Sequence, residues 1–327
     1  MLGTDRHPAP RTSQRIALLE RVTERLLELA AIGPVDGVLF PGGYFRLKSV
    51  LGLMPIDDRL TALRHSPPTT AILAALDRLD VVFPGITLVI GIDSHALDRW
   101  FAGDQMVTAW QRGALVGYAR KAFPVWTEIH HRAPMVWVTP EDVDQPLRLV
   151  RLRNDRLAIL CACYDGFGLR AAVDPRFADQ TSIRWIREPG QPIRWFYAAE
   201  RPSYIERWAS FLRAHPPDLA LIAIHHFARP GRDCYWQRHG IAGASAALDG
   251  IPILGAAHFR EHLPAERHVS PLVSADVPRA HLFEGHFRRA HPIFPLRLIP
   301  VLSADGRTQA VIRLFFLHHR FPRSHDP

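Results

Sequence analysis

The run Leu157-Ala-Ile-Leu-Cys-Ala-Cys-Tyr-Asp-Gly-Phe167 constrains the chain more than any other stretch. Apolar residues lead into Cys163, and the chain then turns polar at Tyr164-Asp165-Gly166. A short apolar run that stops at a glycine-bearing corner reads as a buried strand ending in a sharp turn. A thiol at such a corner is held by a rigid element and presented to a cleft, where a nucleophilic cysteine is useful. Cys161 and Cys163 also suit a plainer description, as small core hydrophobes.

Other segments repeat the pattern. Val35–Phe40 reads as a strand running into the turn Pro41-Gly42-Gly43, and Ile86–Asp93 reads as a second buried strand. Hairpins are expected at 106–110 with 114–118, at 147–152 with 157–162, and at 296–302 with 308–317. Helical spacing predicts helices over 15–31, Thr69–Asp80, Tyr204–Ala214 and Asp233–Leu248. Asp218–Ile224 and Ile251–Ala257 are the remaining strands. Residues 168–202, with Trp185, Trp195 and Tyr197, read as an irregular insertion beside a cleft, either a lid or a packed surface excursion. Alternating helices and strands with added hairpins predict sheets covered by helices on their outer faces, an α/β layered domain. Residues 1–14 are expected to be a flexible tail, 15–320 a single domain, and 321–327 a second tail.

Composition narrows the function. Three cysteines make no disulfide framework. With no apolar run long enough to cross a bilayer and no signal-peptide core at the N-terminus, a cytoplasmic protein without membrane contact is expected. The net charge of +8 allows a nucleic-acid partner, but the arginines are scattered and no nucleic-acid-binding motif is present, which argues against one. The pairs His130-His131, His225-His226 and His318-His319 do not make a metal site, because neighbours on a strand point to opposite faces. No metal is expected.

Three strand ends stand out: Pro41-Gly42-Gly43, Arg120-Lys121 and Cys163-Tyr164-Asp165. With Val38-Leu-Phe-Pro41, Val89-Ile-Gly-Ile-Asp93, Gly117-Tyr-Ala-Arg-Lys121 and Leu160-Cys-Ala-Cys-Tyr-Asp165 in this order, the chain resembles the nitrilase, or carbon–nitrogen hydrolase, superfamily over about 15–317. The resemblance implies an α-β-β-α sandwich of four layers per subunit, usually paired as a homodimer. It implies cleavage of a small-molecule amide or nitrile through a cysteine thioester, with no cofactor. By position, Cys163 matches the nucleophile. Lys121 and the backbone N–H of Tyr164 match the oxyanion donors, and Glu128 lies near the family's additional glutamate. Tyr44, Trp195 and His225 are candidates for the pocket wall.

The sequence departs from the family at the general base, a glutamate that here is Gly42. Two readings stay open. Either the chain has lost acid–base chemistry and serves a binding or regulatory role, or another group substitutes. Glu128, His130 and His131 are the candidates, along with a direct Lys121–Cys163 couple; Asp165 is too close in sequence to Cys163 to serve. If only the base is missing, Gly42→Glu should raise turnover.

Overall fold

Two five-stranded sheets hold most of the buried apolar residues, and each takes helices on its outer side. The computed structural model describes residues 2–5, 12–48, 51, 54–95, 102–124, 139–174, 185–188, 191–192, 194–225, 235–259, 272–282 and 292–317. In chain order the first half contains β1 (Leu2–Asp5), α1 (Thr12–Leu27), β2 (Gly37–Leu39), β3 (Phe45–Lys48), α2 (Ile56–Arg64), α3 (Pro67–Val82), β4 (Thr87–His95), β5 (Ala102–Gln111), β6 (Ala114–Arg120), α4 (Pro140–Val143), β7 (Leu149–Arg151) and β8 (Leu157–Ala162). There follow α5 (Asp165–Ala171), β9 (Trp185–Ile186), β10 (Arg194–Trp195), α6 (Arg201–Ala214), β11 (Leu219–Ala223), a π-helical turn (Trp236–Ala242) running into α7 (Gly243–Ala247), β12 (Ile253–Ala256), β13 (His258–Phe259), β14 (Val273–Ser274), β15 (Arg297–Leu302) and β16 (Thr308–Leu314).

The first sheet has the order β2-β4-β5-β6, with β3 also on β4. β2 and β3 lie end to end along the same edge of β4, with Leu39 opposite Val89 and Phe45 opposite Ile92. The Pro41–Tyr44 corner bulges out between them. The second sheet runs β14-β12-β11-β8-β7, with β8, β11 and β12 parallel. A smaller sheet, β13-β1-β16-β15, joins the two ends of the chain.

Period-two alternation sorts the side chains into layers. Leu88, Ile90, Ile92, Met106, Trp110 and Tyr118 pack outward against α1 and α3, with Leu18, Val22, Ile72 and Leu76. Val89, Val107, Ala109 and Ala119 face inward to the second sheet. There Leu160 comes from β8, close to Gly117 of β6. On the outer face of the second sheet, Ile222 abuts α5 at Gly166, and Cys161 lies opposite Ile222 on the neighbouring strand. The architecture is the expected α-β-β-α sandwich.

Two expectations need correction. Residues 1–14 are not wholly a tail, because Leu2–Asp5 pairs with β13 and β16. The segment after the cysteine corner does not begin as an irregular insertion: α5 starts at Asp165, and Phe167 and Leu169 bury there in place of a loop. Among the described residues, no helix is long and apolar enough to cross a membrane.

Candidate active site

β8 ends at Ala162, and the next residue, Cys163, takes a left-handed φ of 48°. That conformation is uncommon for a residue with a side chain and persists only where the surroundings fix it. Here the Cys163 N–H donates to the Ala223 carbonyl at 2.8 Å, and the Gly166 N–H donates to the Cys163 carbonyl at 3.2 Å. From the first sheet, the Gly42 N–H donates to the Ile224 carbonyl at 3.0 Å. Carbonyls at the end of β11 and just past it thus anchor both the thiol corner and the Pro-Gly-Gly corner. The next residue in the chain, His225, sits between them.

His225 is held by an acid. Its Nε2 lies 2.8 Å from Oδ1 of Asp93, near the end of β4. The Asp93 side chain is 6% exposed and that of His225 is 16% exposed. Both glycines of the corner make room for this pair. A Cβ on Gly42 would fall 2.7 Å from His225 Nδ1, and one on Gly43 would fall 2.5 Å from Asp93 Oδ2. Gly43 also has a φ of 61°, which favours glycine.

Burial alone would lower the pKa of the imidazole. The charge and hydrogen bond of Asp93, followed by the Cys163 side chain, outweigh burial and hold His225 up at about 10. Nε2 is on Asp93, and Nδ1 is shielded from solvent and makes no aligned hydrogen bond. A thiol, an imidazole and a carboxylate are thereby grouped, an arrangement of the kind able to activate a thiol. Cys161 is different: burial first, and Asp165 second, push its thiol well up, so it stays protonated.

Lys121 joins from the first sheet. Asp93 lies directly opposite Gln105 in the β4–β5 register, and the Lys121 N–H donates to the Gln105 carbonyl at 2.8 Å. All three residues share the parity of Val89, Val107 and Ala119, so they form a row facing the second sheet. Lys121 is buried, and its ammonium donates to Oε1 of Gln105 at 2.8 Å. The alternate residues form a separate row on the helix side. There Arg120 pairs with Asp104 and Asp142, and Asp142 pairs with Arg59 at 2.8 Å.

Asp165 ties the two sheets together below the thiol. Oδ1 accepts from the N–H groups of Ala122 at 2.8 Å and Phe123 at 3.0 Å. Oδ2 accepts from the Ala162 N–H at 3.1 Å and from Arg148 at 3.2 Å. On the other side of the corner, His258 Nε2 donates to the Gly42 carbonyl at 2.9 Å. Burial, with help from Arg15 and His225, keeps His258 well below the ordinary histidine value and therefore neutral.

The structure thus groups Cys163, Gly42 and His225 through the β11 carbonyls and sets Lys121 in the facing row. Tyr164 follows the thiol, its ring stacked 4.3 Å from Phe167. Tyr44, expected in the pocket wall, belongs to the core: its hydroxyl donates to the Arg15 carbonyl and its ring packs on Phe40 and Phe45. Trp195, also expected there, is 45% exposed on the two-stranded ribbon β9–β10. Glu128, His130 and His131 lie outside the described residues. Asp93 and Gln105 were missed as site residues. One signal was available for Lys121: it is one of only two lysines in the chain, and it is buried. Among the described residues, no group of three or more His, Cys, Asp or Glu side chains is placed to hold a metal.

No protein-family model and no curated protein sequence matches the chain. Similar solved structures include a double mutant of the amidase from Nesterenkonia sp. AN1 in complex with acrylamide, at 13% identity and TM-score 0.42, covering 79% of this chain and 74% of that one. A carbon–nitrogen hydrolase from Helicobacter pylori G27 is 10% identical, with TM-score 0.39, over 84% of this chain and 77% of that one. A glutamine-dependent NAD(+) synthetase from Cytophaga hutchinsonii is 11% identical, with TM-score 0.40, over 79% of this chain and 35% of that one.

Proposed function

We propose that the chain is a cysteine-dependent carbon–nitrogen hydrolase that cleaves a small amide through a thioester on Cys163. His225, oriented by Asp93, does the work of the glutamate that position 42 lacks. The observation that carries this reading is the imidazole itself. It fills the space of a side chain at position 42, one nitrogen is on a carboxylate, and the Cys163 side chain adds to what holds the ring charged.

The steps follow from the charges. In the reacting form Cys163 has passed its proton to His225, whose imidazolium the charge and hydrogen bond of Asp93 favour. The Cys163 sulfur attacks the amide carbon, and the carbonyl electrons move onto oxygen, where the Lys121 ammonium and the Tyr164 N–H stabilise them. His225 gives its Nδ1 proton to the nitrogen, the C–N bond breaks, and the amine leaves a thioester behind. The thiolate's share in holding the imidazolium is then gone, so neutral His225 can take a proton from water as the water oxygen attacks the thioester. The C–S bond breaks, releasing the acid and restoring thiolate and imidazolium.

The test is alkylation at neutral pH followed by a panel of small amides. Iodoacetamide should modify Cys163 far faster than Cys161 or Cys234. A substrate should leave its acyl mass on residue 163, and Cys163→Ala should abolish both. Equal, slow labelling of all three thiols overturns the reading.

A further inference from the structure

Asp93, Gln105 and Lys121 follow one another across three adjacent strands, on the sheet face toward the thiol. Directly opposed side chains in a sheet lie within about 5.5 Å of one another at Cβ. A carboxylate and an ammonium in such a row attract, and a direct ion pair would draw Asp93 off His225 and engage the Lys121 ammonium. Between them stands an amide, which accepts from Lys121 at 2.8 Å and carries no charge. The helix-side row one residue away is built the other way. There Arg120 reaches a carboxylate, Asp104, on the neighbouring strand, and the two pair directly.

We propose that Gln105 is a positioning residue for the reaction above: an uncharged spacer that aims Lys121 at the reacting oxygen and keeps Asp93 for His225. The proposal rests on the hydrolase reading and adds a residue to it. Glutamate at 105 would put a like charge opposite Asp93 and bind the ammonium as an ion pair. Leucine would keep the bulk and remove the acceptor.

The experiment uses the full chain and two reagents. Iodoacetamide reports thiolate reactivity without forming an oxyanion. Propanal adds reversibly to the thiol and places an oxygen where the oxyanion sits, so its protection of Cys163 from alkylation reports that site. In Gln105→Glu and Gln105→Leu, propanal affinity should fall about tenfold, less than the 10²–10³ of deleting an oxyanion donor outright. In Gln105→Leu, which keeps an uncharged spacer beside Asp93, alkylation without propanal should stay within about twofold of the parent chain. In a Lys121→Met background, neither substitution should lower propanal affinity further, because Gln105 acts through Lys121. If both variants bind propanal as the parent does, or lose as much without Lys121, the role of Gln105 is overturned and the hydrolase reading stands. If Cys163 of the parent is not selectively alkylated, both fall. Melting curves exclude misfolding as the cause, and either variant alone suffices if the other does not fold.

Discussion

The imidazole of His225 occupies the space in front of Gly42: a Cβ on that glycine would lie 2.7 Å from Nδ1 and 2.8 Å from the Ala223 carbonyl oxygen. Two features of the sequence, the glycine and the histidine 183 positions later, are therefore one feature of the site. The sequence-based expectation that Gly42→Glu restores a missing base reverses. Any side chain at 42 must displace the imidazole or push β11 aside. Gly42→Glu and even Gly42→Ala should slow Cys163 alkylation at neutral pH, by about 10²-fold where the imidazole is driven out. Iodoacetamide rates with mass detection measure this. Faster turnover in the glutamate variant would show that the histidine is a bystander.

Asp93 is the strongest of the groups that raise His225, so its charge should be visible in stability as well as activity. Asp93→Asn keeps the volume and loses the charge. His225 is held at about 10 in the folded chain against an ordinary 6.5. A raised folded-state pKa stabilises fully below the unfolded value and loses its effect as pH climbs through the folded value. The stability gap between the parent chain and Asp93→Asn should be full below pH 6.5 and close progressively as pH climbs to 10. Urea unfolding at pH 6.5, 8 and 10 measures it, and a gap independent of pH would contradict the assignment.

His258 supports the same corner from the other side. Kept neutral, it donates from Nε2 to the Gly42 carbonyl. His258→Gln retains an N–H donor of similar reach and should keep most of the Cys163 reactivity. His258→Leu leaves that carbonyl without this donor, a loss of about 1–3 kcal/mol, and should slow alkylation as the corner loosens. Equal rates in the two variants would mean that the hydrogen bond does not position Gly42.

Much of this layout is local and therefore legible in the sequence. The run ending at Cys163, the Pro-Gly-Gly turn and the period-two strands each carry their own signal, and the sandwich follows from stacking them. α5 was hidden because its apolar residues follow the corner without a cap motif, and its stability comes from burying Phe167 among Tyr164, Tyr235 and Trp236. β1 was hidden because its partners are at the far end of the chain. The proposed base was hidden for a similar reason. His225 and Asp93 are 132 residues apart, and a histidine at a strand end has no sequence mark until register and parity bring a carboxylate to it. The glycine at 42 was the visible half of that exchange.

Asp165 offers a test of the frame that holds the thiol and the lysine in relation. Its carboxylate accepts from backbone groups just past Lys121 and just before Cys163, and it pairs with the buried Arg148. Arg148 also donates to the Asp142 carbonyl at 2.7 Å and to the Arg120 carbonyl. Removing one member of a buried ion pair leaves the other charge uncompensated, at about 3–5 kcal/mol. Asp165→Ala should therefore lower stability by about that much and slow Cys163 alkylation, although Asp165 takes no proton in the reaction. Arg148→Met in the same chain removes the stranded charge, so the double variant should be less destabilised than the sum of the two single ones. Urea unfolding of the four chains supplies the cycle. Strict additivity would mean that the two side chains do not act as a pair.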